Sequence, residues 1–494
     1  MKNFLLFLLV LGIGTISTAQ ERYLDTIFDG VEVTKDISYG KNISILPVMV
    51  GGDPALEELK FDFYEPEEDS LELRPLVLLC HSGNFLPFPT NESTSGSKDD
   101  DYATIEMARR LAKMGYVAAN IDYRLGWNPL DESQDERTNT LINAAYRGIQ
   151  DLRTAIRFFR KSVEEEGNPF RVDTSRIVAW GVGTGGYISL TGAVFDDYDK
   201  IELTDKFFTV NEEGVPVPMV HPDLNGDIWA TSEAPLNVPN HVGYSSDFHL
   251  TVNVGGAMGD TAWMDENSGP FISFHVETDP NAPYKEGILI VPTTGDLVVE
   301  VQGSYLVDSL ATAYGNNQVF VDLELDDELT QIAKDRGSFS GLMPLIGSGG
   351  EKDGGPWNWW DEDNVNHDKN IEGNPDMSKE KAMKYIDTIM AFYAPRAYAA
   401  LDLGGALTAN ENLALETGMK VYPTIVQDNL IIETDSAHPF RRMQLYDQQG
   451  RLMKEVRDIH TNRYTLSVGD IPQGMYFLRI MTSQGASVSR IIKQ

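Results

Sequence analysis

The sequence predicts an α/β fold in which a mainly parallel sheet flanked by helices is followed by a small C-terminal all-β sandwich. Three observations predict it. Short, wholly apolar runs alternate with helical periodicity through the middle of the chain. One of those runs passes straight into the glycine-rich turn Gly181-Val182-Gly183-Thr184-Gly185-Gly186. From residue 420 onward the pattern changes to short alternating strands separated by turns.

Pro75-Leu76-Val77-Leu78-Leu79-Cys80 is apolar throughout, as a strand buried on both faces must be, and a His81-Ser82-Gly83-Asn84 loop follows it. Residues 102–114 carry Ile105, Ala108, Leu111 and Ala112 at helical spacing, and Gly115 stops them. Residues 116–121 read as the next strand. Residues 139–163 form a long amphipathic helix with Ile149, Leu152, Ile156 and Phe159 on one stripe. Arg176-Ile177-Val178-Ala179-Trp180 is a strand feeding the glycine turn, and residues 187–193 continue as helix. Residues 249–254, 271–276 and 318–323 are expected as three more buried strands, and 378–393 as the last strong helix.

Two insertions interrupt this alternation. Residues 196–247 contain Pro216, Pro218, Pro222, Pro235 and Pro239, which predicts a cap or lid rather than sheet. Residues 326–374 are rich in glycine and acids and hold Trp357, Trp359 and Trp360. Loops of this length are functional or disordered, and three tryptophans argue against disorder. The rings are either a stacking platform for a sugar or polymer or a plug that seats the insertion on the core. A linker at 404–419 then leads into the terminal domain, 420–494.

The chain begins with Lys2, an apolar run at 4–13 and the small residues Ser17-Thr18-Ala19, the pattern of a signal peptide (1–19) cut after Ala19. The run is too short for a spanning helix, which needs about 20 apolar residues. No later segment is long and apolar enough to span a membrane, so the large domain, 20–403, is expected outside the cell or on its surface. The single cysteine, Cys80, excludes an intramolecular disulfide. A net charge of −35 makes nucleic acid and acidic membranes improbable partners.

The terminal segment presents Val421-Tyr422-Pro423-Thr424, then Leu445-Tyr446-Asp447-Gln448-Gln449-Gly450, Ile471-Pro472-Gln473-Gly474-Met475-Tyr476, and Arg490-Ile491-Ile492-Lys493. In that order these resemble the sorting domain of the type IX secretion system. The departures are Thr424 and Ile425, where the family has Asn and Pro. The resemblance implies that the secretion machinery is this domain's partner.

Residues 59–403 resemble the α/β-hydrolase superfamily, especially its secreted carboxylesterase and polyester-depolymerase branches. Three segments carry the resemblance: Cys80-His81-Ser82-Gly83-Asn84-Phe85 as the oxyanion loop, the glycine turn as the nucleophile elbow, and Phe274-His275-Val276-Glu277-Thr278-Asp279 as the segment bearing the acid. The resemblance implies Gly83, Asn84 and Thr184 as backbone oxyanion donors, Asp279 as the acid and His367 as the histidine. His81 and His275 read as structural. At the nucleophile position stands Gly183, which has no side chain to attack a carbonyl.

Two functions remain open on this reading: a non-catalytic relative of ester hydrolases that binds an extracellular ligand, or an active ester hydrolase using another nucleophile, with Ser82, Thr184 and Cys80 the nearest candidates. No cofactor is expected. Asp223-Leu224-Asn225-Gly226-Asp227 and Asp361-Glu362-Asp363 have the oxygen density calcium favours, but neither completes a calcium loop, so bound calcium is a minority alternative.

Overall fold

The computed structural model describes residues 21–493 except 212, 292–293, 346–353, 376, 405–418, 424, 435–439, 441, 448–451, 458, 460, 470 and 482–485. The expected signal peptide, nearly all of the expected linker, Thr424 and Gln448-Gln449-Gly450 lie outside the described residues. The chain divides into two compact units, Met1–Leu401 and Asp402–Gln494.

The first unit is built on an eight-stranded sheet of β1 (Val31–Ser44), β2 (Ala55–Pro66), β3 (Arg74–Cys80), β4 (Val117–Ile121), β5 (Val172–Val182), β6 (Leu250–Val254), β7 (Phe271–Val276) and β8 (Leu342–Leu345). Their spatial order is β1-β2-β4-β3-β5-β6-β7-β8. β2 runs antiparallel to both β1 and β4, and every other neighbouring pair is parallel. The central strands β3, β4, β6 and β7 are buried along their whole length; β3 is apolar from Pro75 to Cys80, while Asn120, Thr251, Asn253, Ser273 and His275 are polar residues buried within the other three.

Helices α1 (Tyr102–Lys113), α2 (Gln134–Glu165), α3 (Thr184–Val194), α4 (Ser304–Tyr314) and α5 (Lys379–Ala400) flank this sheet. Asp101 caps α1 by accepting from the Thr104 amide at 3.0 Å, and Gly115, at φ 103°, turns the chain back toward β4. The α2 stripe Ile149, Leu152, Ile156 and Phe159 is buried as the periodicity required. Each such side chain contributes about 1.5–3 kcal/mol. The other polar surprise of α2 is its arginines. Arg153 donates to the Ile228, Gly192 and Phe195 carbonyls, and Arg157 to those of Trp229 and Asn240. Arg153 also lies 4.0 Å from the Trp229 ring centroid. Through Ile228, Trp229 and Asn240 these guanidiniums satisfy backbone oxygens of residues 196–247, a stretch with little ladder of its own, and so hold it against the helix, while Gly192 and Phe195 tie the end of α3 to it.

One strand expectation is corrected. Residues 318–323 are not a strand; Gln318–Val321 is a short helix, and the last strand of the sheet is β8, inside the stretch expected as a second insertion. The reason is a competition for the edge of β7. Ser273 donates to Gly341, which seats β8 beside β7, while the Asn317 side chain accepts from the Phe271 amide and blocks the chain there. Only Phe320 of the misread segment is buried. A three-stranded sheet of Glu286–Ile290, Leu297–Gly303 and Ala257–Met258 was also not anticipated.

The second unit is an all-β sandwich. Lys420–Tyr422, Asn429–Glu433 and Arg463–Ser467 form one sheet, and Ile425–Val426, Ala486–Lys493, Gly474–Met481, Arg442–Asp447 and Leu452–Arg457 form the other. Leu430, Ile432 and Leu466 from the first meet Met443, Leu445, Leu478, Ile480 and Ile491 from the second in a common core.

Candidate functional site

β3, β5 and β7 run parallel, with β6 between β5 and β7, and the segments that follow them converge at the carboxyl edge of the sheet, where ligands of open α/β sheets bind. A cavity of 710 Å³ opens there, lined by Ser82 and Asn84 after β3, Gly183 and Thr184 after β5, and Asp279 after β7.

The turn between β5 and α3 is tight, and Gly183 at its centre has no side chain. Gly183 sits between β5 and α3 at φ 54°, ψ −115°, and its amide donates to the Val254 carbonyl at 2.8 Å. The flanking glycines are forced by backbone contact: a Cβ on Gly181 would lie 1.9 Å from the Gly185 oxygen, and one on Gly185 2.0 Å from the Cys80 oxygen. Gly183 differs. The nearest atoms to a Cβ there all belong to Ser82: Oγ at 2.3 Å and Cβ at 3.0 Å. The Ser82 hydroxyl therefore occupies the space in which a nucleophile's side chain would begin.

Ser82 is held in that place. Its amide donates to Asp101 Oδ2 at 2.9 Å, and the same carboxylate caps α1. Gly83, Asn84 and Phe85 follow at φ 128°, 60° and 55°. Asn91 holds this strained loop by donating to the Gly83, Leu86 and Ser95 carbonyls. Thr184 begins α3, with its hydroxyl 3.3 Å from that of Tyr123. Asn84 and Thr184 line the cavity and Gly83 does not.

The histidines do not serve the elbow. His81 stacks on Tyr123, its Nδ1 faces the Ser82 carbonyl oxygen at 2.6 Å, and its Nε2 lies 3.7 Å from Asp122, so neither ring nitrogen faces the Ser82 hydroxyl. His275 is fully buried between Ser304 Oγ at 2.7 Å and the Ala282 carbonyl at 3.0 Å, and burial pushes its pKa down to about 4. His367 opens the four-residue helix His367–Asn370, with Nδ1 buried and without a hydrogen-bond partner. It is not among the residues lining the cavity, and no described histidine is. Asp279 does line it, accepting from the Asn281 and Ala282 amides. Cys80 is buried, and desolvation raises its thiol pKa far above the ordinary range, so it is no nucleophile.

Trp357 and Trp360 line the cavity, whereas Trp359 lies against Tyr102 outside it. The Trp357 ring lies so close to Gly255 that a Cβ on that glycine would stand 2.1 Å from it. Sequence reasoning missed Tyr187, whose hydroxyl is buried without a partner, with desolvation and then the Asp279 charge raising its pKa. It also missed the walls supplied by Glu286–Ile290 and Leu297–Gly303; their runs of β-branched and apolar residues, Ile288-Leu289-Ile290 and Val298-Val299, were the available signal. The Asp227 oxygens considered for calcium accept from Thr231 and Ser232 instead. Among the described residues no group of three or more His, Cys, Asp or Glu side chains could hold a metal ion.

Residues 61–221 match the BD-FAE family model, and residues 420–494 match the model of the secretion system C-terminal sorting domain. The chain is a secreted α/β-hydrolase-like protein. Its terminal unit is of the type IX sorting kind, which implies handling by that secretion machinery. No described helix of this hydrolase-like protein is long and apolar enough to cross a membrane. Among solved structures, esterase 2 of Thermogutta terrifontis phosphorylated by paraoxon is 17% identical, with 72% of this chain and 94% of that one covered at a TM-score of 0.33. Its propionate-bound form is 16% identical, with 75% and 98% covered and a TM-score of 0.32. A truncated form of a carbohydrate esterase from gut microbiota is 11% identical, with 76% and 99% covered and a TM-score of 0.33. No curated protein matches the chain.

Proposed function

We propose that this protein is a non-catalytic relative of ester hydrolases that binds an extracellular ligand in the cavity above Gly183. The observation that carries the reading is the Gly183–Ser82 pair. The nucleophile's side chain is missing, and a second residue's hydroxyl stands where it would begin. Restoring a serine at 183 would crowd Ser82, so the loss is built into two positions. Removal of the nucleophile from a comparable triad costs about 10⁶ in turnover. In this reading Asn84 and Thr184 keep their place as donors toward a bound carbonyl, with Gly83 shaping the loop. Residues 196–247 and part of 326–374 act as lids, and Trp357 and Trp360 form a wall. In this reading Asp279 is left at the cavity without the histidine of a relay, since His367 is not among the residues lining it.

Ester hydrolysis and fluorophosphonate labelling test this on the unmodified protein and on Gly183→Ser, Gly183→Ser with Ser82→Gly, Ser82→Ala and Thr184→Ala. The expected result is no turnover and no label for the unmodified protein and for Gly183→Ser alone. Ser82→Gly with Gly183→Ser relieves the crowding and is expected to label weakly. Turnover by the unmodified protein that is abolished by Ser82→Ala or Thr184→Ala would establish the alternative, an active ester hydrolase with a displaced nucleophile.

A further inference from the structure

We infer that Asn366 and Asn370 are positioning residues for the loop that carries Ser82, Gly83 and Asn84, the insertion at 354–375 being the clamp that holds this loop in shape. The inference goes beyond the binding reading, since it holds whether the cavity binds a ligand or turns one over. It starts from a conformation that the loop does not favour by itself. Asn84, Phe85 and Glu92 take φ of 60°, 55° and 55°, where any side chain is strained. Strain of this kind persists only where the surroundings over-determine the backbone. Within the loop Asn91 does part of this, gathering the Gly83, Leu86 and Ser95 carbonyls. The carbonyls on either side of Asn91 are held from outside the loop.

Asn366 Nδ2 donates to the Pro89 carbonyl at 2.9 Å and to the Ser93 carbonyl at 2.7 Å. Asn370 Nδ2 donates to the Glu92 carbonyl at 2.9 Å, and Asn364 Nδ2 reaches that of Thr94 at 3.4 Å. Lys369 pairs with the Glu92 carboxylate. All four donors come from one polar run, Asn364-Val365-Asn366-His367-Asp368-Lys369-Asn370. A carboxamide carries two donors on one nitrogen, which lets Asn366 bridge two carbonyls. The insertion has an anchor of its own: Trp360 packs with Met377 and with Ala382 of α5, and Ile371 packs against them. Asn366 is buried, and its backbone amide donates to Asn364 Oδ1 at 2.9 Å, so its side chain is aimed by the insertion. The clamp reaches the site through Asn91, whose carbonyl accepts from Asn84 Nδ2 at 3.3 Å and whose own Nδ2 donates to Gly83. The Asn84 carbonyl accepts from the Trp127 indole at 2.7 Å, which makes that ring a reporter on the loop.

Hydrogen exchange and fluorine NMR of the full chain, with 5-fluorotryptophan at its seven tryptophans, test this without any ligand. The Trp127 resonance is assigned by Trp127→Phe. Asn366→Ala is expected to speed exchange across residues 83–95 by about tenfold, the factor carried by one lost hydrogen bond, and to shift the Trp127 resonance. Asn370→Ala, at a half-buried position, should do both to a lesser degree and serves if Asn366→Ala does not fold. Asn370→Gln keeps the amide and should recover both readouts, and Lys384→Ala, exposed on α5, should move neither. A Trp127 resonance unmoved by both asparagine-to-alanine variants, with faster exchange confined to 354–375, would overturn the inference, because the loop would then keep its shape alone. Faster exchange spread equally over β1 and β2 would also defeat it, since the asparagines would then serve general stability. Neither outcome depends on whether the cavity binds or hydrolyses anything.

Discussion

Two serine positions in the large unit divide between them what a nucleophile needs. Ser304, at the start of α4, has the hydrogen bond of a catalytic pair, 2.7 Å to His275 Nδ1, yet both residues are fully buried and neither lines the cavity. Ser82 has the cavity and the elbow but no ring nitrogen facing its hydroxyl. A base without access is a packing group, and a hydroxyl without a base is a binding group. The difference teaches that a short Ser–His distance identifies chemistry only where substrate can reach it.

The largest effect that would sharpen this comparison is on stability. His275→Ala removes a ring packed beside Tyr284 together with both its hydrogen bonds, leaves the Ala282 carbonyl unpaired, and leaves Ser304 Oγ with only the bond it accepts from Asn253. A loss of about 3–5 kcal/mol in urea unfolding is expected. A loss below about 1 kcal/mol would mean that the pair is not structural.

The same histidine predicts a pH dependence. Its folded pKa, about 4, lies below the value of about 6.5 expected when unfolded. The unfolded chain therefore binds the proton more readily, and this contribution to stability is complete above pH 6.5 and is lost as the pH falls toward 4. His275→Gln should flatten the fall in Tm over that window. An unchanged slope would break the assignment.

Asp308, one turn further along α4, works in the opposite sense. Burial raises its pKa to about 7, and Oδ2 is buried without a hydrogen-bond partner. Its folded state binds the proton more tightly, so stability is lost as the pH rises from about 4 through 7. Asp308→Asn should gain about 1–3 kcal/mol at pH 8 and nothing at pH 4. An equal effect at both values would show that the charge is not the cause.

The smallest effect belongs to the elbow. Gly183→Ser and Ser82→Gly should each destabilise, and the pair should be more stable than the sum of the two changes by about 1 kcal/mol, read from a double-mutant cycle. Strict additivity would mean that Ser82 does not occupy the vacated space.

Much of the architecture was legible because buried parallel strands advertise themselves as continuous apolar runs, as β3 does from Pro75 to Cys80. The 318–323 segment misled for the same reason: Val319, Phe320 and Val321 look like a strand until Asn317 is seen to bind the Phe271 amide. The place of Gly183 in the turn was legible from the spacing of the glycines alone. The role of Ser82 was not, since it depends on an approach of 2.3 Å between segments a hundred residues apart in the chain.

The sequence by itself determined the two-domain plan, the terminal sorting unit and the glycine turn with Gly183 at its centre. These are local patterns, set by periodicity and by which residue types a turn tolerates. Only the tertiary structure decided that the Ser82 hydroxyl stands against Gly183, that His275 serves Ser304 rather than the cavity, and that the strands Glu286–Ile290 and Leu297–Gly303 help to wall that cavity. Each of those depends on distances between remote segments. No local pattern encodes them, because they exist only once the sheet has brought its strand ends together.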